Sequence, residues 1–251
     1  MIIPQRGSNA FKLLYTGNNG EEIGLDEVQL LDDYPQTRIR DLSALLNDSN
    51  LFIRYQAILI LTAWGLEVGI DNAENMIVAG VADDLNLSPN RINGKDNRFD
   101  DLAEAIHLYV LSGGSGVRAC KAFCALLKSY PIYYFESKFK RALLKHATPE
   151  MIGEIKDSIL KCLKAGKFYQ ASQLLPILAK LDSVACWDIF PEIAALPMQI
   201  PDPAANIAEA LRYISTQDSD KLLTQYLTHK GAGVALAAQE SIDFKKKQSI
   251  K

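Results

Sequence analysis

The chain has 251 residues, 48% of them hydrophobic and 23% charged, with a mean hydropathy of -0.02 and a net charge of -3. Such a chain can bury a full core in one or two domains, which excludes a disordered, collagen-like or disulfide-stapled protein. Runs dense in Ala, Leu and Ile outnumber the alternating Val/Thr-rich segments that announce sheets.

Residues 1–24 place Gly7, Gly17, Gly20 and Gly24 around Asn18 and Asn19, the pattern of a loose, turn-rich extension with at most a short extended piece or hairpin. Helical spacing begins with Leu25, Val28 and Leu31 over 25–33, and Tyr34-Pro35 stops it before a run carrying Ile39, Leu42, Leu45 and Leu46. Residues 51–64 are apolar on nearly all sides and predict a central helix with neighbours on several faces. The next helix is expected over 72–85 with Asp71 as its N-cap. Residues 86–98 form the longest loop and carry Arg91, Lys95 and Arg98, a length at which loops are often functional. Asp100 is expected to cap a helix ending at Leu111, followed by a glycine-rich turn over 112–116. Further helices are expected over 117–130, 133–146, 150–165, 169–181, 183–195, 204–215, 218–229 and 234–243, with a frayed basic tail over 245–251. The fold class is all-α, one helical domain over 25–244.

Catalytic chemistry finds little support in the spacing. Cys120 and Cys124 lie four apart while Cys162 and Cys186 are isolated, which suits reduced thiols and matches no zinc site. Glu104 and His107 have the spacing used in di-iron bundles, but the second such pair is missing. The turn over 112–116 lacks the lysine of a phosphate-binding loop. Cys120 with His107 or His146 lacks an indicated third, orienting group. No catalytic residue, cofactor or metal is assigned. The first six residues lack the plan of a signal peptide, and the apolar stretch 51–65 is too short to span a bilayer and holds Arg54 and Gln56. A cytoplasmic protein without a membrane partner is expected.

Leu45-Leu46-Asn47-Asp48 followed by Ile53-Arg54, Ala57, Leu61 and Gly65 resembles the second helix of a HEAT repeat, over about twenty residues. Ala57 would permit close helix approach, Ile53 and Leu61 would face the shared core, Arg54 would reach toward Asp48, and Gly65 would end the helix. Val117-Arg118 begins a weaker second copy, with Ala122 one place late. The resemblance implies a right-handed HEAT-like α-α superhelix; a compact irregular helical domain is the alternative.

The net charge conceals two opposite halves. Residues 1–110 hold 17 Asp/Glu and 8 Lys/Arg, a net of -9, whereas 111–251 hold 13 and 19, a net of +6. Acidic residues including Glu21, Glu22, Asp26, Glu27, Asp32, Asp33 and Asp41 precede the central helix, and Glu67, Asp71, Glu74, Asp83 and Asp84 follow it. Stacked helices would align some of these carboxylates on one edge and steer a cationic protein into place. The partner-binding set expected on this basis is Asp32, Asp33, Asp83 and Asp84, with Arg91 and Lys95 of the long loop. Bacterial immunity proteins, acidic helical inhibitors of basic nuclease toxins, are similar in charge and shape, which implies a non-enzymatic inhibitor of a basic partner. The alternative rests on residues 118–145, where seven Lys/Arg face the single Glu136 and interleave with Tyr130, Tyr133, Tyr134, Phe135 and Phe139. HEAT-like folds include DNA-repair glycosylases, and on that alternative Arg118, Tyr134, Lys138, Lys140, Arg141 and Lys145 would contact nucleic acid.

Overall fold

The computed structural model describes residues 3–80, 97–194 and 201–249. Among these the regular elements are fourteen α-helices and one 3-10 turn, with no strand beyond an isolated antiparallel bridge between Thr16 and Glu22. The protein is all-α. It divides into two compact units, Met1–Ala142 and Leu143–Lys251.

In the first unit α1 (Asn9–Tyr15), α2 (Leu25–Gln29) and α3 (Gln36–Leu45) surround α4 (Leu51–Ala63). Eleven of the thirteen α4 residues are buried, as expected of a helix apolar on all sides, and Ala57 is fully enclosed. Against α4 pack α5 (Glu67–Ala79) and α6 (Arg98–Leu111), and α7 (Gly116–Ser129) packs on both of those. Gly65 ends α4 with φ +75°, its N–H donating to Thr62 O and that of Leu66 to Leu61 O. This paired closure requires a left-handed residue, which glycine supplies without strain. The same closure recurs at Gly113 after α6, and the Ser112 hydroxyl donates to Ala63 O, joining the two helix ends.

Several local expectations change. The residues ahead of Leu25 are docked rather than loose: they include α1, with Leu14 fully buried and the Tyr15 hydroxyl donating to Gln56 Oε1. α5 starts five residues early, because the chain re-enters a helix directly after the Gly65 turn; Asp71 therefore lies inside it and caps nothing. Asp100 sits in the first turn of α6 and turns its carboxylate toward another helix, α8 (Lys138–His146). α8 begins later than residue 133 because Phe135 is drawn into the core ahead of it.

In the second unit a 3-10 turn (Pro149–Met151) leads into α9 (Ile152–Lys164), which packs on α10 (Phe168–Leu181). α10 is the buried helix here and also contacts α11 (Ser183–Ala194) and α12 (Ala204–Leu211). Asn206 Nδ2 donates to Ser172 Oγ at 3.0 Å, so the buried polar pair on α12 and α10 is satisfied. α13 (Gln217–Tyr226) starts on a reciprocal Thr216–Ser219 capping box, and α14 (Ala232–Ser249) packs on α12 and α13. α14 continues past residue 243 instead of fraying, since Lys245 Nζ donates to Ile214 O at 2.6 Å and holds its last turns down.

Candidate functional site

The basic and aromatic residues over 118–145 go mostly inward or toward carboxylates. Tyr130, Phe135 and Phe139 are each about 1% exposed and form one aromatic cluster with Phe99 and Phe123. These rings fill the core, so they offer no platform for stacked bases. Arg118 on α7 pairs with Glu67 and Asp71 of α5, and Lys121 pairs with Glu74. Lys138 and Arg141 on α8 pair with Asp101 and Glu104 of α6, both at 2.6 Å. Tyr134 and Lys140 are part-exposed, and Lys145 is exposed. The opposite charges of the two sequence halves thus meet within the protein, across neighbouring helices.

The order of these pairs also fixes helix direction. Lys121 follows Arg118 along α7 as Glu74 follows Glu67 along α5, so the two helices run parallel. Lys138 and Arg141 meet Asp101 and Glu104 in the same ascending order, so α6 and α8 are parallel as well.

Asp100 is completely buried and its carboxylate accepts the N–H groups of Ser137 at 3.2 Å, Lys138 at 3.1 Å and Phe139 at 2.8 Å. A carboxylate at a helix N-terminus satisfies orphan donors and complements the helix dipole. Burial raises the Asp100 pKa above the ordinary carboxylate value, and the amides of Phe139 and Lys138 counter that rise. Burial also works against the charge of Lys138, but Asp101 outweighs it and keeps the ammonium pKa above its usual value. This group of charges joins α6 to α8, and Asp101, Glu104 and Lys138 line a cavity of only about 20 Å³ together with Asp26 and Gln29.

Glu67, Asp71 and Glu74 are engaged with α7 as above, Glu67 and Asp71 while still 59% and 52% exposed by side chain. Asp32 and Asp33 are exposed, as are Glu21, Asp26 and Glu27, and the charge of Asp26 acts on Lys138. Leu30, an apolar side chain that is 61% exposed, stands in the sequence between Asp26-Glu27 and Asp32-Asp33. Leu30 is the residue missed in the sequence, although its position off the Leu25–Val28–Leu31 stripe was a usable signal. Asp83, Asp84, Arg91 and Lys95 lie outside the described residues.

Hydrogen bonds anchor the end of α1 and the backbone around α2. Arg38, 8% exposed, donates to Leu13 O at 3.0 Å, to Thr16 O at 2.6 Å and to Asn18 Oδ1 at 3.4 Å, placing a cation at the C-terminus of α1. Burial lowers the Arg38 pKa and the charge of Glu21 opposes that. Trp64 Nε1 donates to Val28 O at 3.0 Å, and Tyr34 stacks on the indole with ring centroids 3.9 Å apart. The Tyr34 hydroxyl donates in turn to Trp64 O at 3.0 Å. The backbone on both sides of Leu30 is therefore pinned to the end of α4.

Among the described residues no group of three or more His, Cys, Asp or Glu side chains is placed to hold a metal ion. None of their helices is long and apolar enough to cross a membrane. Comparison of the chain with protein-family models, with curated proteins and with solved structures finds no match.

Proposed function

We propose that the protein is a non-enzymatic, HEAT-like binding module of the cytoplasm that captures a basic protein on the acidic face around Leu30, in the manner of an immunity-type inhibitor. The observation that carries this reading is the exposed Leu30 flanked in sequence by exposed Glu27, Asp32 and Asp33, on backbone tied to Trp64 through Val28 and Tyr34. A central apolar anchor inside a charged rim is the arrangement of a protein-binding hot spot. Pre-ordering limits the freedom lost on docking, and the carboxylates raise the association rate of a cationic partner. The HEAT-like part of the proposal is supported by the parallel pairs α5/α7 and α6/α8 and by the helix-closing glycines Gly65 and Gly113, 48 residues apart. That spacing is close to the roughly 40–47 residues of such repeats.

The test is affinity capture from the source cell with wild type and with two variants, Asp32→Lys/Asp33→Lys/Glu27→Lys and Leu30→Ser. A basic protein retained by wild type, bound more weakly as salt rises and lost from both variants, is the expected result. Retention by all three, or capture of no basic protein by wild type, refutes the proposal. Unchanged melting of the exposed-site variants excludes misfolding as the cause of loss.

A further inference from the structure

The second unit contains a groove of about 1330 Å³ bounded by the end of α12, the start of α13 and the last turns of α14. Its walls bring together Arg212, Tyr213, Phe244, Lys245 and Lys246 with one carboxylate, Asp220, whose charge is paired with Lys245. The Arg212 guanidinium carbon lies 5.7 Å from the centroid of the Phe244 ring, and Tyr213 meets the same ring edge-on at 5.5 Å. Both rings are part-exposed, in contrast to the buried aromatics of 118–145. Lys245 is fixed as a brace, its Nζ donating to Ser219 Oγ at 2.9 Å and to Asp220 Oδ1 at 2.6 Å besides Ile214 O. Lys246 is 70% exposed by side chain, 3.9 Å from Asp243. Arg212 Nε is buried without a hydrogen bond, a deficit that reorientation of the guanidinium onto an anion would relieve.

We infer that this groove binds single-stranded nucleic acid, with bases against Tyr213 and Phe244 and phosphates at Arg212 and Lys246. Two features select that ligand class. Aromatic faces beside cations are the apparatus of strand binding without sequence preference, because every base has a stacking face. An acidic peptide would use the cations and leave the rings idle. The groove shares no residue with the acidic face around Leu30, so either proposal can fail without the other.

The experiment is fluorescence anisotropy of a labelled thymidine dodecamer with the full chain, titrated at several salt concentrations. Two phosphate contacts give a log–log salt slope of about -1.4, and Arg212→Gln and Lys246→Gln should each reduce its size by about 0.7. Phe244→Leu, which keeps an apolar side chain but removes the stacking face, should weaken binding roughly tenfold or more. Melting curves identify any variant that fails to fold, and Lys246→Gln, on an exposed side chain, remains informative in that event. Absence of binding at low salt, binding unaltered in all three variants, or tighter binding of a decaglutamate peptide than of the strand overturns the inference.

Discussion

Replacing Asp100 by alanine removes one carboxylate and strands three amide donors at the start of α8, those of Ser137, Lys138 and Phe139. The N–H of Phe139 belongs to a residue that is 1% exposed, so water cannot readily replace its partner, and an unsatisfied buried donor costs about 1–3 kcal/mol. Ser137 is exposed and Lys138 is part-exposed, so their amides can recover water, and the loss there is closer to the ~1 kcal/mol of an ordinary N-cap. Against these stands the relief of no longer burying a carboxylate whose pKa burial has raised. The balance is a destabilisation of about 2–3 kcal/mol. For a chain of this size that lowers the melting temperature by roughly 4–12 °C. Asp100→Asn keeps one acceptor oxygen and loses the charge, so it should fall between wild type and alanine. Thermal unfolding followed by circular dichroism measures the change, and hydrogen exchange at residues 137–139 locates it. A shift below about 1 °C for the alanine variant, with unchanged exchange at those amides, would refute the assignment of Asp100 as the cap of α8.

Three other outcomes are expected. Gly69→Ala should destabilise by about 1–3 kcal/mol, because a Cβ there would overlap Thr62 N and Leu61 C where α5 crosses α4; calorimetry showing a neutral or stabilising change would mean that the crossing is looser. Iodoacetamide should label Cys120 and Cys124 in the native protein, while Cys162 and Cys186, buried and with pKa values pushed up to about 12, should react only after unfolding, as peptide mass mapping can show. Burial, aided by the charge of Lys145, holds the His146 pKa below its ordinary 6.5. The neutral ring therefore contributes stability that is present above pH 6.5 and lost as pH falls through the folded value, so His146→Gln should flatten the acid side of the stability profile. Parallel pH profiles for the two proteins would contradict this.

Helicity, the central place of residues 51–63 and the closing role of Gly65 were legible in the sequence, because helical periodicity and glycine's access to positive φ act within a few residues. Asp100 shows where such local reading stops. An aspartate near the start of a helix reads as that helix's own cap, yet its partners are amides 37 to 39 residues further on, at α8. Likewise, -9 and +6 on the two halves describe a total charge and not its geometry. Whether Glu67 and Asp71 have Arg118 as a partner depends on α5 lying parallel to α7, and whether Phe135 and Phe139 stack on a ligand or on each other depends on the packing ahead of α8. Leu30 stays exposed while Val28 and Tyr34 on either side of it are tied to Trp64, a residue close only in space. Sequence by itself determined the kind of element and its buried stripe, since those follow from short-range sterics and hydrophobicity. Tertiary structure alone decided which charges pair within the chain, since charge pairing depends on distances that only packing sets.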